Sequence, residues 1–151
     1  MQVITNRASM FPRADVLVSG CFNILHAGHV DLLEFASRYG EVTVGINGEE
    51  YMKKKYGEYA MPLLSRSKVL KACRYVNDVV FFNEDEPSEL IKRLRPRYFV
   101  RGPDYSGIVL TESAALEAVG STLIIHQDTK IHDGSNIIKG LEPDFFNSFA
   151  P

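Results

Sequence analysis

VLVSGCFNILHAGHV, residues 16–30, joins an extended run to a helical one through a turn that carries two histidines. Val16, Leu17 and Val18 form a short aliphatic run closed by Ser19-Gly20, which predicts a buried strand. From Gly28 to Tyr39 the apolar residues Leu32, Phe35, Ala36 and Tyr39 recur at helical spacing, and Gly40 sits where a helix C-terminus favours glycine. Strand, turn and helix in that order open a crossover unit, and the rest of the chain repeats the alternation. Further strands are predicted at Val42–Ile46, Val79–Phe82, Tyr98–Val100 and Thr122–Ile125. Helices are predicted at Ser65–Tyr75, between Pro87 and Pro96, at Thr111–Val119 before Gly120, and at Ser135–Leu141 before Pro143. Residues 47–64 are polar, rich in Lys, Tyr and Gly, and lack clean periodicity, so they read as a long loop with one helical turn. The expectation is an α/β fold: a single Rossmann-like, doubly wound, five-stranded parallel sheet. Such sheets bind ligands beyond the carboxyl ends of their strands, here after strands one, four and five.

The length of 151 residues suits one domain over 1–151, with residues 1–14 as an N-terminal extension and 142–151 as a C-terminal tail. A hydrophobic share of 45% with 24% charged residues supports a buried core and excludes the composition of a disordered chain. Seventeen Lys plus Arg against nineteen Asp plus Glu leave a formal charge of -2, without the basic excess of a duplex binder, so no nucleic acid partner is expected. Two cysteines, Cys21 and Cys73, form no CxxC pair and suit a reducing, cytoplasmic setting. No run approaches the roughly 18 consecutive apolar residues of a membrane span, and no export signal is read at the N-terminus. The aromatic tail of Phe145, Phe146 and Phe149 suits packing on this domain or on a second subunit, which makes a homodimer one expectation.

Neither a Walker loop nor GxGxxG occurs, so any phosphate held here is held by another device. His26-Ala27-Gly28-His29 supplies one. Gly28 lets backbone approach a ligand, a helix N-terminus offers N–H donors and positive dipole, and two imidazoles three residues apart can face one anion. A histidine at such a place can equally be a satisfied core or surface residue. A metal site is a further alternative and would need His132 or Asp133 to complete it, but no HExxH or cysteine set supports it.

GCFNILHAGHV (20–30) resembles the signature of the HxGH nucleotidylyltransferase superfamily, the cytidylyltransferase-like α/β fold. VGINGEE (44–50), a lysine run, Pro62, RSKVL (66–70), RYVNDVVFF (74–82), EDEPSELIKRLRP (84–96) and VRGPDY (100–105) follow in that family's order. The resemblance covers roughly residues 15–141, and within the family it is nearest to the nucleotidylyltransferase domains of bifunctional ADP-heptose synthases, then to glycerol-3-phosphate cytidylyltransferases. It implies an enzyme that transfers AMP or CMP from ATP or CTP, with Mg²⁺, to a phosphorylated sugar or polyol and releases pyrophosphate. The alternative is a nucleotide-binding module of the same fold with reduced or lost catalysis.

The resemblance also implies roles for residues. His26 and His29 contact the triphosphate at its α-phosphorus. Of Lys53, Lys54 and Lys55, otherwise a solvated charge run, Lys53 and Lys55 are taken to reach phosphate. Gly20, Cys21, Phe22, Asn23 and Gly28 belong to the nucleotide site, as do Arg66, which is otherwise a plain surface residue, and Arg101, Gly102, Asp104 and Tyr105 after strand four. Asn23 stands where relatives commonly carry Asp, and Arg101 where they often carry Lys. In the last helix, Asp133-Gly134-Ser135 replaces a Ser/Thr triplet, so only Ser135 keeps a phosphate-binding hydroxyl, while Asp133 sets a carboxylate near the phosphates or caps the helix. Lys130 and His132 lie close by in sequence and are read as exposed.

Overall fold

A computed structural model describes residues 13–102 and 111–127. Five parallel strands form one sheet: β1 (Val16–Gly20), β2 (Val42–Asn47), β3 (Asp78–Phe82), β4 (Tyr98–Arg101) and β5 (Thr122–Ile125), in the order β3-β2-β1-β4-β5. The helices are α1 (Ala27–Ser37), α2 (Glu49–Tyr56), α3 (Leu63–Lys71), α4 (Ser88–Leu94) and α5 (Ser113–Val119), with a 3₁₀ turn at Gly57–Tyr59 after α2. From β1 the chain steps to β2 and then β3, and β4 returns to the other edge of β1. The order therefore reverses between β1 and β4, and a crevice opens beyond their carboxyl ends.

Alternation along the strands divides the core between the two faces of the sheet. Val16, Val18, Val44, Ile46, Val79 and Val100 pack on one face with Leu33 and Ala36 of α1 and Leu70 of α3. Leu17, Val80, Phe82 and Phe99 pack on the other with Leu90, Ile91 and Leu94 of α4 and Ala115 and Leu116 of α5. All of β2 is buried, as expected of a central parallel strand covered on both faces.

The five strands fall where the residue pattern sets them. The principal correction concerns residues 47–64, which are not a long loop. Glu49–Tyr56 is a helix of two turns whose Met52 is fully buried, with Glu49 and Glu50 in its first turn and Lys53, Lys54 and Lys55 in its last. Those charges complement the helix dipole at both ends, while only one side chain of the eight is buried, too few to mark a hydrophobic face. The next helix starts at Leu63, two residues before the predicted Ser65, and stops at Lys71. Helix α1 ends at Ser37 with Arg38 as its cap, so Gly40 is not the helix terminus. Gly40 turns the chain toward β2 at φ +143°, where an added Cβ would strike Asp15. The predicted helix Ser135–Leu141 lies outside the described residues.

Gly45, in the middle of β2, lets α4 approach the sheet: a Cβ there would stand 2.5 Å from Cδ2 of the buried Leu90. Gly45→Val is expected to lower stability by about 1–3 kcal/mol through overpacking, read as a reduced urea midpoint with an unchanged slope.

Candidate active site

The chain leaves β1 through a turn whose backbone is forced. Phe22 has φ +46°, an uncommon conformation for a residue with a side chain, and its ring is buried against the core. The turn delivers the chain to the N-terminus of α1, where His26 is the N-cap in extended conformation and Gly28 and His29 lie in the first helical turn. The His26 and His29 rings stack with centroids 3.8 Å apart and planes 22° from parallel, and Phe22 tilts against His29 at 4.9 Å. The backbone N–H of His26 donates to Nδ1 of His29 at 3.4 Å. An acceptor at Nδ1 puts the proton of the neutral His29 ring on Nε2. Two imidazoles are thus gathered at the positive end of a helix, beyond the strand next to which the sheet reverses.

Cys21 lies at the floor of this turn. Its Sγ is 3.5 Å from Oδ1 of Asn47 at the end of β2 and 3.9 Å from Nζ of Lys55. The structure thus brings Lys55 to the motif from the same side of α2 as the buried Met52, three residues earlier. Lys53 and Lys54 are exposed on the same helix. Burial raises the Cys21 thiol above its ordinary pKa, against the opposing pull of Lys55, Tyr56 and Arg66.

Arg66 is not a surface residue. It is 2% exposed, and its guanidinium reaches three backbone carbonyls: Nε to Met61 at 2.9 Å, and Nη1 to Cys21 at 3.1 Å and Asn47 at 2.7 Å. Nη2 is buried without a hydrogen-bond partner among the described residues. Desolvation lowers its pKa, partly offset by Glu49, Cys21 and Tyr56, and an arginine remains charged under all ordinary conditions. This one side chain ties together the ends of β1 and β2 and the segment that leads into α3.

Asn23 is buried too, and both halves of its amide are bound to backbone: Nδ2 donates to the Tyr59 carbonyl at 3.0 Å and Oδ1 accepts from Met61 N–H at 2.7 Å. Arg101, at the end of β4, directs Nε at 3.0 Å and Nη2 more closely to Oε1 of Glu112, which is 1% exposed, while Thr111 donates to the other carboxylate oxygen. Sequence reading missed Glu112. Its one signal is a carboxylate directly ahead of an apolar helical run, eleven positions from an arginine at a strand end. Gly20 closes β1 and Gly102 follows β4, at the same end of the sheet. Asp104, Tyr105, Lys130, His132, Asp133 and Ser135 lie outside the described residues.

Paired histidines at a helix mouth beside the switch point of an open parallel sheet stand where α/β folds take ligands. The chain matches the cytidylyltransferase-like family over residues 17–140 and belongs to it. It is 39% identical over 113 residues to the bifunctional protein HldE of Streptomyces coelicolor, covering 73% of this chain and 24% of that one. To the protein of the same name from Campylobacter curvus it is 41% identical over 113 residues, covering 72% and 22%. The chain thus spans about a quarter of the length of these curated relatives. The fold is shared with the crystal structure of a lipopolysaccharide core biosynthesis protein from Thermoplasma volcanium, at a TM-score of 0.64 and 20% identity over 80% of this chain and 100% of that one. Among the described residues no helix is long and apolar enough to cross a membrane.

Two outcomes test this geometry. Arg66→Met leaves three inward carbonyls without their donor and is expected to cost about 2–4 kcal/mol, measured by chemical unfolding. In a Cys73→Ser background, Cys21 is expected to react with iodoacetamide more slowly than a solvent-exposed thiol at pH 7.5, with the rate still climbing above the ordinary thiol range, because only the thiolate attacks. A rate that levels off near pH 8 would contradict the raised pKa.

Proposed function

We propose that the protein transfers AMP from ATP, or CMP from CTP, to the phosphate of a phosphorylated sugar or polyol and releases pyrophosphate. The observation that carries this reading is the stacked His26–His29 pair at the N-terminus of α1, beyond β1, where the sheet order reverses. A triphosphate seated there meets the N–H groups and positive dipole of the first helical turn. In the transfer, an oxygen of the acceptor phosphate attacks the α-phosphorus in line. The bond to the bridging oxygen breaks, and pyrophosphate departs with that electron pair. No covalent enzyme intermediate is needed, so the protein's contribution is positioning and stabilisation of charge.

His29, through Nε2–H, and His26 serve the oxygens of the α-phosphate. Lys55 and Lys53 reach the outer phosphates from α2, and Gly28 admits the ligand to the backbone. Gly20, Cys21, Phe22, Arg101 and Gly102, with Asp104, Tyr105 and Ser135 outside the described residues, complete the proposed nucleotide site, and Asn23 and Arg66, bound to backbone, support its walls. Among the described residues no three His, Cys, Asp or Glu side chains lie together as a ligand set. Mg²⁺ would suit the proposed reaction as a companion of the triphosphate, offsetting the charge of the phosphate oxygens.

One observation favours the alternative of a binding module with reduced turnover: the Arg101 guanidinium is already engaged by buried Glu112. Pyrophosphate release, assayed with ATP and CTP against a panel of sugar and polyol phosphates, separates the two, since triphosphate binding without release with any acceptor supports the module. His29→Ala is expected to lower kcat by about 100- to 1,000-fold, the usual effect of removing one preorganised donor, with the melting temperature nearly unchanged. Near-wild-type turnover in that variant overturns the assignment.

A further inference from the structure

We infer that Asn23 is a positioning residue: its amide clasps the backbone at 59–61 and so holds the end of α2, and with it Lys55, beside the turn that carries His26 and His29. What Lys55 does there rests on the function proposed above; the clasp itself does not.

An amide offers one donating and one accepting half, and the backbone here presents a matching pair, the Tyr59 carbonyl and the Met61 N–H. A carboxylate accepts only. Aspartate, which the family resemblance sets at this position, would keep the Met61 contact but place an unprotonated oxygen against the Tyr59 carbonyl, where Asn23 now donates across 3.0 Å.

Tyr59 and Met61 are 38% and 40% exposed, so hydrogen bonds carry much of the hold on the clasped segment: two from 94%-buried Asn23 and one from Arg66 to the Met61 carbonyl. The connection then closes on itself. Met61 accepts from Arg66, and Arg66 returns to the carbonyl of Cys21, two residues before Asn23. The start of α2 is anchored separately, by buried Met52 and by the Glu49 carboxylate, which accepts from Leu63 N–H. Its far end, where Lys55 stands 3.9 Å from Cys21, passes through Gly57 at φ +58° into the clasped turn. Release of 59–61 therefore frees the lysine end of α2 while the methionine end stays packed.

Cys21 reports on this directly and without turnover. In a Cys73→Ser background, Asn23→Leu removes both hydrogen bonds with the same side-chain branching and no change of charge, and is expected to raise the Cys21 iodoacetamide rate about tenfold. It is also expected to weaken binding of Mg–ATP or Mg–CTP, whichever the unaltered protein takes, by about tenfold. In a Lys55→Ala background the same change is expected to alter nucleotide affinity less than twofold, because the group through which Asn23 acts is gone. A merely structural role would give equal losses in both backgrounds. That result, or an unchanged Cys21 rate, overturns the proposal. If the unaltered protein binds neither triphosphate, the proposed function fails, while the Cys21 rate still decides the clasp. Should Asn23→Leu not fold, hydrogen exchange on the unaltered protein decides: the Met61 amide is expected to exchange at least about tenfold more slowly than an open chain, and open-chain exchange there overturns the clasp.

Discussion

Strand β1 hydrogen-bonds to β2 along one edge and to β4 along the other, and Val16, Leu17 and Val18 are completely buried between two helical layers. A strand enclosed on four sides can release its chain only at its end. The end of β1 lies where the sheet reverses its order, so the residues that follow are delivered into the crevice whatever their own preferences. The positive φ at Phe22 is the local cost of that exit, of order 1–3 kcal/mol for a residue with a side chain. Burial of the ring offsets it, and the ring in turn supports His29. The histidine pair is thus placed by the sheet, and by the packing of one aromatic residue.

Positive charge around the crevice is distributed in a way that a residue count does not convey. Arg66 is enclosed by backbone carbonyls and binds the scaffold together, and Arg101 is engaged by a buried carboxylate. Lys55 stands 3.9 Å from Cys21 in the motif turn, and the positive end of the α1 dipole lies at the paired imidazoles. The interior guanidinium is the more costly arrangement, because removing a charge from water must be offset by hydrogen bonds. Three carbonyls supply them, and in doing so they align the ends of β1 and β2 with the entry to α3. The geometry of the candidate site therefore depends on a buried cation held by backbone.

Much of the architecture was legible in the residues. Five aliphatic runs separated by helical spacing, with Gly and Pro at the borders, marked the strands, and in β1 and β2 burial on both faces is what demands the continuous apolar sequence. Helix α2 escaped the same reading. Among its eight residues only Met52 is buried, and the helix is held by that contact, by end charges and by Glu49 at the start of α3. Periodicity has no purchase on a helix stabilised from outside itself. The site divides similarly. The motif at 20–30 was evident, whereas the burial of Arg66, the service of Asn23 to backbone at 59–61 and the Glu112 partner of Arg101 were not, since none of these pairings leaves a spacing rule in the sequence.

By itself the sequence determined the five strands, the described helices other than α2, the parallel α/β class and the presence of two histidines at a helix mouth, because each depends on neighbours within a few residues: turn chemistry, apolar period and helix termini. Tertiary structure alone decided which charged and polar side chains are bound to the scaffold. That choice depends on which carbonyls, amides and carboxylates arrive beside them from distant segments, as Arg66 meets the Cys21 carbonyl from 45 positions away, and desolvation penalises polar groups that arrive without a partner.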